Sequence, residues 1–177
     1  RAITSAAGTA DVIEAIADIE FTPVQIKEIV NKTHGCMVWG GSLGLSPADD
    51  KLIQVERVLN LDPEPQLLAS VLSKKISVGS KYVIIDIPFG KSAKVSKEKG
   101  LHLKKQFEKL GLKFGLKLKC VLTDGKEPIG RGVGPLLEIR DIIKILKKIE
   151  DRPLDLENKA VYLAGQIFEL ANECRPG

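Results

Sequence analysis

The sequence predicts an α/β fold, a sheet flanked by helices. Amphipathic helical stretches alternate with short apolar runs along its 177 residues. One of those runs, Tyr82-Val-Ile-Ile-Asp-Ile-Pro88, is nearly continuous and β-branched, as expected of a strand covered on both faces. Loops rich in glycine and small residues follow the apolar runs, where α/β sheets place their ligands.

With 44% hydrophobic residues, the chain can bury one sizeable core, so one domain is expected. No run of about 18 apolar residues marks a membrane helix. Three cysteines at wide spacing, Cys36, Cys120 and Cys174, exclude a zinc box and fit reduced thiols in the cytoplasm. Cys36 and Cys120 lie in apolar runs and are expected in the core. Net charge is +4 and lysines bunch over residues 91–117, which reads as a solvated helix face. Aromatics are only 5% of the chain and do not interleave that run, so single-strand stacking is poorly supported and a mildly basic protein handling anionic small molecules fits at least as well. The start on Arg1, with Met37 as the single methionine, is expected of a piece of a longer chain.

The elements follow in order. Residues 1–16, RAITSAAGTADVIEAI, allow two readings. One is a helix lead-in capped by Ser5 or Thr9. The other is an anion cradle, in which small residues let backbone N–H groups approach a ligand at the helix start. Thr22, Pro23 and Gln25 predict a capped helix start, and His34 closes that helix before Gly35. Residues 36–39 read as a buried strand ending on Trp39, a core residue. A strand-like run precedes Asp62, and a helix over 65–78 follows with Leu67, Leu68, Val71, Leu72 and Ile76 on its apolar face and Gly79 as its stop. Helix 96–110, strand 116–124, helix 135–149 and a final helix near 155–173 continue the rhythm.

Three loops follow the predicted strands, at 39–50, 88–97 and 124–135. Gly90-Lys91-Ser92 looks like the end of a nucleotide-triphosphate loop, but that motif needs glycine where Ile85 stands. A Gly-Lys-Ser-Ala-Lys turn can still hold a phosphate through backbone N–H groups and Lys94; a solvated basic turn is the other reading. Neither His34 nor His102 is placed as a catalytic base, and no Ser/His/Asp or Cys/His set assembles. Asp49, Asp50 and Asp62 sit where turn-formers and helix caps are common.

Several linked motifs then resemble one family in order and spacing. GTADVIEAI (8–16) resembles part of the signature of the thymidine/pyrimidine nucleoside phosphorylases. PADD (47–50), LLASVLSKK (67–75), VIIDIPFGKSAK (83–94) and PIGRGVGPLLEIRD (128–141) follow as in that family. SAAGT (5–9) and DIPFGKSAK (86–94) look most like its archaeal-type AMP phosphorylase branch. The base-gripping arginine of the thymidine enzymes has no clean match, because Glu56 and Arg57 straddle its place.

The resemblance implies phosphorolysis: a nucleoside 5′-monophosphate such as AMP, or CMP or UMP, plus phosphate gives the free base and ribose 1,5-bisphosphate. It implies that Asp62 donates a proton to the base, and that Arg1, Ala2, Ile3, Thr4, Ser5 and Thr9 line the substrate and phosphate pocket. That favours the anion cradle for the opening stretch. It also implies that Ser70 contacts the nucleotide and Lys94 a substrate phosphate, with Lys74 a secondary candidate, and that Asp141 serves a monovalent cation. No cofactor is implied, inorganic phosphate being the co-substrate. By the same resemblance residues 1–177 form the central catalytic region, of nucleoside phosphorylase/phosphoribosyltransferase-like fold, between an upstream helical region with a phosphate loop and a C-terminal domain. The expected partners are small molecules, with neither nucleic acid nor membrane, in a cytoplasmic homo-oligomer of at least two copies. A pyrimidine nucleoside phosphorylase, a phosphoribosyltransferase and a basic nucleic-acid-binding module are the competing classes.

Overall fold

In the computed structural model, which describes residues 7–59 and 63–173, the chain divides into two units. Arg1–Leu61 and Gly130–Leu154 form the first, and Asp62–Ile129 with Asp155–Gly177 the second.

In the first unit, α1 (Thr9–Glu14) starts where the Asp11 carboxylate accepts the N–H of Gly8 at 2.9 Å. It buries Val12 and packs against α6 (Pro135–Leu146). α2 (Pro23–Thr33) has the expected reciprocal cap: the Thr22 hydroxyl accepts the Gln25 N–H at 3.3 Å, and the Gln25 side chain accepts the Thr22 N–H at 2.9 Å. His34 ends it in the left-handed region at φ 60° and stays exposed.

Three sequence expectations fail in this unit. Residues 36–39 form no strand. Trp39 donates its N–H to Ile19 O at 2.8 Å, but no neighbouring strand pairs with the segment among the described residues. Cys36 is exposed rather than in the core. Trp39 is half-buried over Gly41 at the entry to a short 3₁₀ turn, Gly40–Leu43. The strand-like run before Asp62 is instead α3 (Pro47–Leu59). Pro47 at its first position and Asp49 and Asp50 in its first turn are helix-start features that outweigh the β-branched residues behind them.

The second unit is a βαβ element with added helices. α4 spans Glu64–Ser77 and ends before Gly79 at φ 69°, the predicted stop. β1 (Tyr82–Phe89) and β2 (Lys117–Asp124) pair in parallel, in register from Tyr82↔Lys117 to Phe89↔Asp124. Parallel strands need a crossover, supplied by α5 (Lys97–Lys113). α7 (Leu154–Ala171) closes the chain.

The two faces of the strand pair differ. Val83, Ile87 and Cys120 form one core with Leu68 and Leu72 of α4 and Leu103 and Phe107 of α5. Burial pushes the Cys120 thiol up to about 12, helped by the Glu108 charge, so it stays protonated. The opposite face, with Asp86, Lys119 and Thr123, meets α7 through charge: Lys159 reaches Asp86 at 2.8 Å and Lys119 reaches Glu169 at 3.8 Å. β1 is thus packed by apolar side chains on one face and ion-paired on the other. Lys104 and Glu108 of α5 bind the backbone of Cys120, at 3.1 Å to its carbonyl and 3.2 Å from its N–H.

Two buried glycines in α5 separate packing from propensity. A Cβ on Gly100 would sit 3.5 Å from Ile87 and Leu122, ordinary contact, whereas one on Gly111 would lie 2.9 Å from Leu118 Cβ. Leu118 Cβ is fixed to a paired strand and cannot swing away. Gly100→Ala should stabilise by roughly 0.5–1 kcal/mol through helix propensity. Gly111→Ala should be net destabilising, since overpacking costs about 1–3 kcal/mol. Urea unfolding of the two variants should therefore shift in opposite directions.

Candidate functional site

The loop leaving β1 folds back on itself. Gly90 donates its N–H to Val95 O at 3.2 Å, Ala93 donates to Gly90 O at 3.3 Å, and Phe89 bridges Val95. Lys91, Ser92 and Lys94 are exposed on this turn, and Ser96 then caps α5 by accepting the Lys99 N–H. Lys97 Nζ stands 5.8 Å from the Phe89 ring centre.

The loop leaving β2 is locked against it. Gly125 donates to Phe89 O at 2.9 Å, and Asp124 accepts the Lys126 N–H at 3.0 Å. That N–H is the chief reason the Asp124 carboxyl lies below its ordinary range. A Cβ on Gly90 would meet Lys126 N at 2.8 Å, and one on Gly125 would meet Pro88 Cβ at 2.9 Å. Glycine at both positions lets the two turns touch. The result is one rigid edge at the carboxyl ends of the strands, carrying Lys91, Lys94 and Lys126.

Ser70 and Lys74 lie one turn apart on α4, both half-buried, with Lys74 Nζ 3.1 Å from Ser70 Oγ. The structure brings these two together as a pair and carries Lys94 on a separate loop of the same unit. A cavity of about 560 Å³ opens between α4 and α5, lined by Leu68, Leu72, Ile76, Leu110 and Phe114 among others. Its lining includes none of Ser70, Lys74 and Lys94, and it is too apolar for a phosphate. His102 bonds Glu64 at 2.8 Å and so links α5 to α4.

In the first unit, Thr9 is the exposed first residue of a six-residue helix, whose Gly8 N–H is already taken by Asp11. Arg1, Ala2, Ile3, Thr4, Ser5 and Asp62 lie outside the described residues. Asp141 is buried on α6, and one of its oxygens accepts two backbone N–H groups, from Arg131 at 2.6 Å and Gly132 at 2.8 Å. The same turn is tied by Gly134 N–H to Glu138 at 3.0 Å and by the Arg131 guanidinium to Asp151 O at 2.7 Å. Lys144 bonds the Asp151 carboxylate and is the first reason that carboxyl lies below its ordinary range. A Cβ on Gly132 would lie 2.4 Å from Leu137 backbone, so the glycine is sterically required.

Sequence inspection does not single out Asp86, Thr123 or Lys159, which form a polar cluster beside the lysine-bearing edge. The available signal is a lone carboxylate inside a β-branched run.

A parallel βαβ unit with a lysine- and glycine-rich edge at its strand ends defines an α/β protein whose charge lies where such sheets place ligands. The comparisons narrow that class. No protein-family model matches the chain. Over its whole length it is 47% identical to a "putative thymidine phosphorylase" of Legionella pneumophila (strain Corby) and 48% identical to an AMP phosphorylase of Methanococcus maripaludis (strain C5). A protein of Hahella chejuensis with the same name as the Legionella one is also 48% identical over the whole chain. The chain spans about a third of these relatives, 34% of the first and 35% of the other two. The resemblance read from the motifs therefore extends over the entire chain.

Removing the Asp141 carboxylate would strand two N–H groups, each costing about 1–3 kcal/mol when left unsatisfied. Asp141→Ala should lower the unfolding free energy and speed amide exchange at Arg131 and Gly132. Unchanged exchange there would show that the carboxylate does not hold the turn.

Proposed function

We propose that the full-length protein is a phosphorylase of nucleoside 5′-monophosphates, converting AMP and phosphate to adenine and ribose 1,5-bisphosphate, with CMP and UMP as further substrates. The observation that carries this reading is the 48% identity, over the whole chain, to proteins named AMP phosphorylase. The exposed lysines on the β1 and β2 loops support it, since an edge of that charge suits a substrate bearing phosphate.

In this reading an oxygen of inorganic phosphate attacks C1′ as the glycosidic bond breaks, and the bonding pair leaves with the base. Asp62 gives its proton to that base. To be protonated near neutral pH it needs a pKa raised above about 3.9, which a pocket holding two phosphates would supply. Lys94 holds the substrate's 5′-phosphate as a point charge. Ser70, with Lys74 bonded to it, contacts the nucleotide. Arg1, Ala2, Ile3, Thr4, Ser5 and Thr9 complete the pocket. A monovalent cation at Asp141 would share that carboxylate with the N–H groups of Arg131 and Gly132. No further cofactor is needed, and the working form is a homo-oligomer.

The name of the Legionella and Hahella relatives favours a second reading, phosphorolysis of unphosphorylated pyrimidine nucleosides. Comparing AMP, adenosine, UMP and thymidine as substrates of the full-length protein separates the two. Phosphate-dependent release of base should be fastest from the monophosphates; faster cleavage of thymidine would establish the second reading instead. Lys94→Ala should weaken AMP by about 10- to 100-fold, the worth of a charge-assisted contact, while leaving adenosine nearly unchanged. Asp62→Asn should slow turnover by about 10²–10⁴ with binding retained. Near-normal turnover would return Asp62 to the role of a helix cap.

A further inference from the structure

The polar cluster beneath the lysine edge has no role in the reading above. Asp86 stands among Val83, Ile84, Ile85 and Ile87, where an apolar residue would suit the strand better. Its two oxygens are separately engaged: Thr123 Oγ1 donates to one at 2.6 Å, and Lys159 Nζ of α7 reaches the other at 2.8 Å. Both charged side chains are about three-quarters covered, at 24% and 23% exposure. A covered ion pair is weak evidence of added stability, because desolvation offsets much of the attraction. What it does well is fix one arrangement.

Thr123 stands opposite Pro88 in the register, and the backbone ladder runs on past the proline, since Gly125 gives its N–H to Phe89 O. The Thr123 hydroxyl adds a side-chain bond between the strands there, reaching diagonally back to Asp86. Two residues beyond Thr123, Gly125 donates to Phe89 O, and Phe89 and Gly90 hold Val95. Lys94 immediately precedes Val95. An unbroken path of bonds thus runs from Lys159 through Asp86 and Thr123 to the turn that bears Lys94.

We propose that Asp86 is a positioning residue: held by Lys159, it clamps Thr123 so that the carboxyl ends of β1 and β2 set the turn carrying Lys94 for a phosphate-bearing ligand. The ligand part rests on the reading of Lys94 given under Proposed function, whereas the clamp is tested without it.

The test uses the full-length protein with Thr123→Val, Thr123→Ser and Asp86→Asn, each made alone and with Lys94→Ala. Valine keeps the shape of threonine without its hydroxyl, and serine keeps the hydroxyl. Hydrogen exchange should quicken at residues 89–95 and 124–126 in Thr123→Val and stay near wild type in Thr123→Ser. Unchanged exchange in Thr123→Val would overturn the clamp, whatever Lys94 does. In kinetics, Thr123→Val and Asp86→Asn should raise KM for AMP more than they lower kcat. They should add little once Lys94 is already alanine, a non-additivity of at least about threefold. Equal losses in both backgrounds, or equal losses on AMP and adenosine, would overturn positioning through Lys94. Should Asp86→Asn fail to fold, the Thr123 pair decides alone. If the exchange result is as expected but Lys94→Ala leaves AMP kinetics untouched, the clamp stands and the assignment of Lys94 to the 5′-phosphate falls.

Discussion

The parallel pairing of β1 with β2 is the contact on which the second unit depends. Two strands alone make a marginal sheet, so each face and edge must be covered by something else. α4 and α5 cover one face with Leu68, Leu72, Leu103 and Phe107. α7 meets the other through Lys159 and Glu169. Lys104 donates to the carbonyl of Cys120 and Glu108 accepts its N–H, leaving no bare backbone there for a stray strand. The same pairing aligns the strand ends, and that alignment lets Gly90 and Gly125 bring their turns into contact.

How much of this was legible in the sequence depends on whether local chemistry or tertiary partners decide each element. Thr22, Pro23 and Gln25 specify a helix start by bonds they make with one another, so α2 is read correctly. Gly79 stops α4 for an equally local reason, its positive φ. Residues 36–39 are apolar enough for a strand, but a strand exists only where another pairs with it, and no residue count supplies that partner. The run within α3 misleads differently. Val55 and Val58 favour a strand, while Pro47, Asp49 and Asp50 settle the helix from its start.

The lysine run at 91–117 divides along the same line. Lys97, Lys99, Lys105, Lys109 and Lys113 are exposed, as a solvated face should be. Lys104 lies on the same helix but turns toward β2 and bonds its backbone. Ser70 and Lys74 are named by the resemblance alone, and the fold sets them one turn apart on α4 with Lys74 Nζ 3.1 Å from Ser70 Oγ, whereas Lys94 is marked by its loop after a buried strand. Asp141 shows the reverse. The resemblance implies a cation there, and nothing local in the sequence discloses the two backbone N–H groups that one of its oxygens accepts in the fold. Asp86 is invisible for a related reason, since its importance lies in Thr123 and Lys159, both distant in the chain.

Charge at the strand ends is distributed unevenly, and the imbalance bears on what that edge can attract. The two acids nearest it are already occupied. Asp86 is matched by Lys159 and a hydroxyl, and Asp124 by the N–H of Lys126, with the Lys126 ammonium 3.5 Å away. Each of these carboxylates is ion-paired with its own lysine, so the two pairs add little net charge to the edge. Lys91 and Lys94 are exposed on a turn whose Gly90 and Ala93 amides are spent on its own closure, so those N–H groups are not open to a ligand. A point charge on a flexible stem gains specificity only if its base is fixed. The glycine contacts hold that base, and under the clamp proposed above the Asp86–Thr123 bond holds it too.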